Sequence, residues 1–133
     1  MKQKAILCVD DEKIILDSLK SQIKRHFGSD YKCEIASDAD EAIEVIEELK
    51  EEGVKIVIIV SDWLMPGIKG DEFLIRVHQK YPGIVKLMLT GQADPNAVNN
   101  ARIHANLYHC INKPWKEEEL LQVLEAALEE AEK

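Results

Sequence analysis

The chain of 133 residues alternates five times between a short apolar run and a longer segment whose apolar residues recur at helical spacing. The run at residues 56–60 consists of β-branched residues, which is typical of a buried strand, whereas an apolar repeat of three to four residues indicates an amphipathic helix. Strands are predicted at residues 5–9, 32–36, 56–60, 84–89 and 107–111. Such alternation is typical of parallel sheets with helical connections. It predicts an α/β fold with a doubly wound, five-stranded parallel sheet flanked by five helices.

Capping and breaking residues set the expected helix limits. Ser37 or Asp38 is a candidate cap for the second helix, and Asp94 followed by Pro95 is a typical start for the fourth. Pro82 stops the third helix, for which residues 72–81 are predicted. The last helix is predicted at residues 117–132, and its apolar stripe is expected to pack on the sheet.

Size and charge narrow the class of protein. A hydrophobic content of 46% in 133 residues is enough for one domain, so residues 1–133 are expected to form a single unit, either standing alone or cut from a longer regulator. The net charge of −8 argues against direct binding to nucleic acid or to an anionic membrane. The sequence has no bilayer-spanning run and no signal peptide, so a cytoplasmic location is expected. Cys8, Cys33 and Cys110 are expected to be buried free thiols.

Polar side chains follow four of the predicted strands closely. Asp10 and Asp11 come after the first strand, Asp62 after the third, Thr90 after the fourth and Lys113 after the fifth. Ligands of doubly wound sheets bind beyond the carboxyl ends of the strands. We therefore expect three carboxylates, a hydroxyl and an ammonium group to meet at one edge of the sheet.

Charge repulsion indicates what such a site binds. Carboxylates in contact repel by roughly 4 kcal/mol a pair at an effective dielectric constant of 20, and a hard divalent cation offsets this repulsion. Mg²⁺ fits best, because it takes carboxylate, water and phosphate oxygens. Asp62 is then a candidate nucleophile towards phosphorus, giving an acyl phosphate. Lys113 would neutralise charge on the transferring group, and the Thr90 hydroxyl would donate to one of its oxygens.

Each motif also has a simpler interpretation when it is taken alone. The run Asp10-Asp11-Glu12 before a helix is common in helix capping, and residues 62–67 also suit an ordinary turn. Lys113 and Thr90 are individually weak signals. Their occurrence together, in order, at four strand ends favours the functional interpretation.

As a set, the motifs resemble the receiver domains of two-component response regulators. The resemblance covers residues 5–131 and rests on Val9-Asp10-Asp11-Glu12, Ser61-Asp62-Trp63-Leu64-Met65-Pro66-Gly67 with Gly70, Leu89-Thr90-Gly91 and Asn112-Lys113-Pro114-Trp115. It implies a signalling domain, rather than an enzyme that turns over a substrate. The implied phosphodonor is a histidine kinase or a histidine phosphotransfer protein. An output domain or protein is expected to bind around residues 94–115, and homodimer formation is left open.

The resemblance also implies a role for each site residue. Asp62 is the implied phosphoacceptor, and Asp11 and Asp62 would bind Mg²⁺ together with the main-chain carbonyl of Leu64. Asp10 would act through a metal-bound water. Thr90 and Lys113 would contact the phosphoryl group, and the Lys113-Pro114 bond is expected to be cis.

Cys110 departs from the pattern of the family, and rival functions stay open. Cys110 stands where receivers usually carry Tyr or Phe, and Tyr108 is a candidate substitute or a packing residue. A small Mg²⁺-dependent phosphohydrolase with an aspartate nucleophile is one rival, although Leu64 stands where such enzymes place a second acid. A degenerate receiver that serves as a binding scaffold is another. A flavodoxin-like nucleotide-binding module is disfavoured, because the first acidic run would repel a phosphate.

Overall fold

The computed structural model describes residues 3–91 and 94–133 and confirms the predicted fold class. The strands are β1 (Lys4–Val9), β2 (Lys32–Ala36), β3 (Lys55–Asp62), β4 (Val85–Thr90) and β5 (His109–Asn112). The helices are α1 (Lys13–Phe27), α2 (Ala39–Glu51), α3 (Gly70–Lys80), α4 (Pro95–Ala105) and α5 (Glu117–Ala131). All strands pair in parallel, in the order β2-β1-β3-β4-β5. The order places β3 at the centre of the sheet.

Two apolar layers lie on opposite faces of this sheet. Side chains of β1 alternate between them, so that Leu7 belongs to one layer and Ile6 and Cys8 to the other. Helices α2, α3 and α4 cover the first layer, and α1 and α5 cover the second. The apolar stripe of α5 therefore faces the core, as expected, and so does that of α1.

Two predicted helix starts are borne out by hydrogen bonds. The side chain of Asp38 accepts from the main-chain N–H of Glu41 at 2.8 Å, and Asp94 accepts from that of Asn96 at 2.9 Å. Each bond satisfies one of the main-chain donors that the first turn of a helix leaves without an intrahelical partner. Asp38, rather than Ser37, is thus the cap of α2.

The start of β5 differs from the predicted limit at residue 107. Asn106 adopts a left-handed conformation with φ 53°, and the N–H groups of Asn106 and Leu107 both donate to the carbonyl of Ala101. Leu107 is buried, but it closes the C-terminus of α4 instead of joining the sheet. An apolar residue in a helix-closing turn has the same sequence pattern as the first residue of a strand.

The three cysteines are free, as predicted. Cys8 and Cys33 are buried on the face covered by α1 and α5, whereas Cys110 is half-buried on the opposite face. Burial raises the pKa of the Cys110 thiol, against the opposing charge of Arg102. The thiol therefore acts as a small packing group.

Among the described residues, no carboxylate pairs with Lys86, which is buried in the sheet. Lys86 lies in β4 and is 1% exposed, and its Nζ is 2.6 Å from His78 Nδ1 and donates to the Pro82 carbonyl at 3.3 Å. Burial lowers the pKa of Lys86 to about 8. Burial and the charge of Lys86 lower the pKa of His78. Holding this ammonium group in the interior costs stability at neutral pH.

Lys86→Met is therefore expected to stabilise the fold by about 1–3 kcal/mol at pH 7. The lowered pKa means that the unfolded chain holds this proton more strongly, so the cost is complete below pH 8 and declines as the pH rises further. Urea unfolding at pH 7 and above pH 9 measures both effects. Lys24→Met, at an exposed site on α1, is the control for loss of charge. A Lys86→Met protein less stable than the wild type at pH 7 would contradict the prediction.

Candidate functional site

The carboxyl ends of β1, β3, β4 and β5 lie next to one another at one edge of the sheet. The strand order places β3 between β1 and β4, with Val9 paired to Ser61 and Asp62 paired to Leu89. Residues that were separated by up to 103 positions in the sequence come together there.

Three aspartates form a cluster at this edge. One carboxylate oxygen from each of Asp10, Asp11 and Asp62 lies within 4.8 Å of the others. Asp10 and Asp62 are buried, whereas Asp11 is exposed. The cluster thus has an interior side and a side open to solvent, and its oxygen-only donor set fits a hard divalent cation.

Lys113 reaches into this cluster from the end of β5. Its Nζ lies 2.7 Å from Asp10 Oδ2 and 3.2 Å from Asp62 Oδ1. Burial alone would lower the pKa of Lys113, but the hydrogen bonds and charges of Asp10 and Asp62 raise it. The ammonium group is therefore charged, and it offsets part of the repulsion among the carboxylates.

The carboxyl group of Asp62 has a raised pKa. Burial and the neighbouring charge of Asp10 raise its pKa to about 6, although Lys113 and the main-chain N–H of Trp63 act in the opposite direction. A cation at the cluster would reverse this shift, because it stabilises the ionised form.

Main-chain contacts hold Asp62 in place. The N–H of Trp63 donates to Asp62 Oδ1 at 2.9 Å, and the Ser61 hydroxyl donates to the carbonyl of Asp62 at 2.9 Å. The N–H of Gly70 donates to the carbonyl of Trp63 at 2.7 Å, which closes the loop between β3 and α3. The carboxylate therefore sits on a rigid strand end, with a folded loop behind it.

The partners of Asp62 are positioned in the same way. The N–H of Asp10 donates to the Ala36 carbonyl at 3.1 Å, and Asp10 Oδ1 accepts from the N–H of Glu12 at 2.8 Å. The N–H of Lys113 donates to the carbonyl of Thr90 at 2.9 Å, and the Lys113-Pro114 bond is cis, as expected. Neither Asp11 nor Glu12 caps α1 through its side chain, so simple capping does not account for the acidic run.

Thr90 and Gly91 lie at the adjoining end of β4. Thr90 is buried and is paired in the sheet with Asn112, next to Lys113. A Cβ added to Gly91 would lie 3.7 Å from the Cβ of Lys113, which is an ordinary contact. The space at residue 91 thus tolerates alanine as well as glycine.

Comparison with known proteins identifies the arrangement. A family model described as the response regulator receiver domain matches residues 6–125. The chain belongs to the response regulator receiver family. Receiver domains are signalling modules that interact with histidine kinases and output domains, and their acidic pocket binds Mg²⁺.

Relatives and solved structures agree with this membership. The hydrogenase transcriptional regulatory protein HoxA of Cupriavidus necator is 31% identical over 128 residues, covering 96% of this chain and 25% of that protein. The receiver domain thus spans about a quarter of the length of the curated relatives it matches. The signal receiver domain of an HD domain-containing protein from Pseudomonas fluorescens matches with a TM-score of 0.87 at 28% identity, over 99% of this chain and 91% of that one. A CheY-like receiver domain protein from Methanospirillum hungatei gives 0.82 at 33% identity, over 98% of both.

Cys110 and Tyr108 lie in different parts of the receiver domain. Cys110 lies in β5 opposite Met88, in the layer covered by α4. Tyr108 lies outside the site: it precedes β5, is 40% exposed and lines a cavity of about 880 Å³ that also includes Val54 and Pro82, at the amino-terminal ends of β3 and β4. Tyr108 therefore does not substitute for the aromatic residue that receivers usually carry at the position of Cys110.

Trp63 has side-chain contacts that its sequence motif does not predict. Its indole Nε1–H donates to Asp71 Oδ1 at 3.2 Å, and the ammonium group of Lys69 lies 5.2 Å from its ring centroid. Asp71 also accepts from Asn100. An aspartate at the second position of a helix has the ordinary signature of a dipole-stabilising residue, so its pattern gave no sign of these contacts.

Leu64, two residues after Asp62, is 54% exposed. In the described residues, no helix is long and apolar enough to cross a bilayer.

Proposed function

We propose that Asp62 is the phosphoacceptor of this receiver domain. The observation that carries the proposal is the buried carboxylate at the end of the central strand, with two further carboxylates within 4.8 Å and the Lys113 ammonium group at 3.2 Å. An oxygen of Asp62 would form a bond to phosphorus as the bond from phosphorus to the donor breaks. With a phosphohistidine donor, the leaving group is the imidazole nitrogen.

We further propose Asp11 and Asp62 as Mg²⁺ ligands, with the main-chain carbonyl of Leu64, and Asp10 as a partner through a metal-bound water. The donor set supports this assignment, because all the groups are oxygens, and burial together with the charge of Asp10 raises the pKa of Asp62. When bound, the ion supplies positive charge beside the phosphoryl oxygens. The exposed position of Asp11 leaves the open side of the cluster accessible to solvent.

Lys113 and Thr90 complete the proposed site. Lys113 is held between Asp10 and Asp62, so an incoming phosphoryl group would meet a charged donor already in place. Thr90 stands at the neighbouring strand end and would donate its hydroxyl to a phosphoryl oxygen. Each group is positioned by the sheet rather than by a mobile loop.

The rival functions fit the site less well. A phosphohydrolase needs a group that activates water two positions after Asp62, and Leu64 has an apolar, exposed side chain there. A scaffold without phosphoryl transfer has no need of three close carboxylates and a buried lysine contact, which cost folding stability.

The partners are part of the proposal. A histidine kinase or histidine phosphotransfer protein would supply the phosphoryl group in the cytoplasm, and residues 94–115 would form the output face. The transcriptional role named for the HoxA relatives suggests an output protein that acts on transcription, and the solved NtrC4 receiver domain, 28% identical, is described as a beryllofluoride-activated dimer. Residues 1–133 would act as one receiver unit.

Incubation with acetyl phosphate tests the proposal by its metal dependence. With Mg²⁺, intact mass spectrometry should show a gain of one phosphoryl group. With EDTA in place of Mg²⁺, the initial rate should fall at least about tenfold, because the carboxylate cluster then repels the donor. A sodium salt at the same ionic strength controls for screening. Equal rates with and without Mg²⁺ would rule out the metal assignment.

A further inference from the structure

We propose that Asp71 is a positioning residue that couples the phosphoacceptor to helix α4, by way of Trp63 on one side and Asn100 on the other. The proposal rests on the assignment of Asp62 as the phosphoacceptor. It concerns how the modification is transmitted, rather than how it forms.

The first link joins Asp62 to the loop behind it. The main-chain N–H of Trp63 donates to Asp62 Oδ1 at 2.9 Å, so the carboxylate that would carry the phosphoryl group already holds this peptide unit. The indole of the same residue donates to Asp71 Oδ1 at 3.2 Å, and Lys69 lies over its ring. A change in the Trp63 main chain therefore moves a hydrogen bond to the first turn of α3.

The second link joins α3 to α4. The side-chain Nδ2–H of Asn100 donates to Asp71 Oδ2 at 3.1 Å, across 29 positions of sequence. The two oxygens of one carboxylate thus bind two different elements. Asp71 and Asn100 are half-buried, which limits the competition from water that weakens exposed hydrogen bonds.

The apolar packing of α4 is less able to transmit a change in geometry than the hydrogen bonds through Asp71. Ala101 and Ala105 face the apolar layer, and Cys110 of β5 packs in the same layer. Alanine has no side-chain rotamer to change, and the Cys110 side chain has no ring whose rotation could displace α4. The contacts through Asp71, by contrast, have a fixed donor and acceptor at each step.

Phosphorylation would act on the first link. It adds close to two negative charges and three strong acceptor oxygens at Asp62. The Trp63 N–H that now binds a carboxylate oxygen would then have a stronger acceptor within reach, and its peptide unit would turn. The indole, Asp71 and Asn100 would follow, because each is tied to the next.

Two-dimensional NMR of the full chain tests this coupling. The chain has two tryptophans, and the indole of Trp115 donates to Gln22 at 2.9 Å, away from α3. We expect the Trp63 indole signal to shift on phosphorylation with acetyl phosphate and Mg²⁺, and the amide signals of α4 to shift with it. Asp62→Asn, treated with the same reagents, is the control for signal changes that do not come from phosphorylation.

The decisive comparison is between Asn100→Ala and Asn99→Ala. Asn99 is the adjacent residue of α4 and is exposed. Its replacement removes a side-chain amide of the same kind but leaves the bond between Asn100 and Asp71 in place. With Asn100→Ala, the phosphorylation rate should stay within about twofold of wild type, while the α4 shifts on phosphorylation fall by about half or more. Asn99→Ala should behave as wild type. Asp71→Asn, which keeps the shape but not the charge, should weaken the response at both Trp63 and α4.

The possible results distinguish a failure of the coupling from a failure of the phosphoacceptor assignment. Full α4 shifts in Asn100→Ala, with Asp62 phosphorylated, would overturn the coupling through Asp71 and leave the phosphoacceptor assignment intact. A wild type that gains no phosphoryl group would overturn both. Matching spectra of the unphosphorylated variants and wild type exclude a general loss of packing.

Discussion

Asp62→Asn is expected to abolish the gain of a phosphoryl group and, at the same time, to make the protein more stable. The amide lacks the anionic oxygen that attacks phosphorus, so no mass increase should appear with acetyl phosphate and Mg²⁺. Asp30→Asn, a change of the same kind at an exposed turn, is the control and should be phosphorylated like wild type. Full phosphorylation of Asp62→Asn would place the acceptor at another residue.

The stability gain separates loss of chemistry from loss of fold. Burial and the charge of Asp10 raise the pKa of Asp62 from 3.8 to about 6, so the ionised form costs free energy in the folded state. Because the folded-state pKa is the higher one, this cost is complete above pH 6 and disappears as the pH falls towards 3.8. In EDTA at pH 7, the asparagine variant should gain about 1–3 kcal/mol in free energy of unfolding. Urea unfolding measures it, and a less stable variant at pH 7 would contradict the argument.

The strands, the fold class and the convergence of the site residues could be predicted from the sequence. Short apolar runs and helical spacing are local signals, and the carboxyl ends of parallel strands meet at one edge of the sheet. Asp10, Asp11 and Asp62 are accordingly close together, and Lys113 contacts two of them. The limits of β5 were less predictable, because Leu107 is apolar whether it closes α4 or begins a strand.

Contacts between side chains distant in sequence could not be predicted. Nothing in the pattern of α3 or α4 distinguishes Asp71 and Asn100, which are joined across 29 positions, from ordinary polar helix residues. Lys86 was hidden for a different reason. A lysine inside an apolar strand suggests a half-exposed position, and its burial against His78 depends on the packing of α3 over β4.

Gly70 was noted in the sequence only as part of a motif, and the structure gives the reason for it. A Cβ on Gly70 would overlap the main-chain carbonyl oxygen of Asp62 and would lie 2.8 Å from the Cα of Trp63. Both are backbone atoms of the site and cannot swing aside as a flexible side chain can. The start of α3 therefore packs directly on the peptide that follows Asp62.

Gly70→Ala is expected to destabilise the protein by about 2–3 kcal/mol, because the methyl group must push α3 away from β3. The same displacement should slow phosphorylation about tenfold or more, since it moves the peptide that holds Asp62 Oδ1. Gly91→Ala is the matched control, with its Cβ at an ordinary 3.7 Å from Lys113 Cβ, and should change stability by less than about 0.5 kcal/mol. Urea unfolding and the rate of mass gain measure the two effects. If both alanine variants behaved alike, close packing of α3 on the Asp62 peptide would not be what requires glycine at position 70.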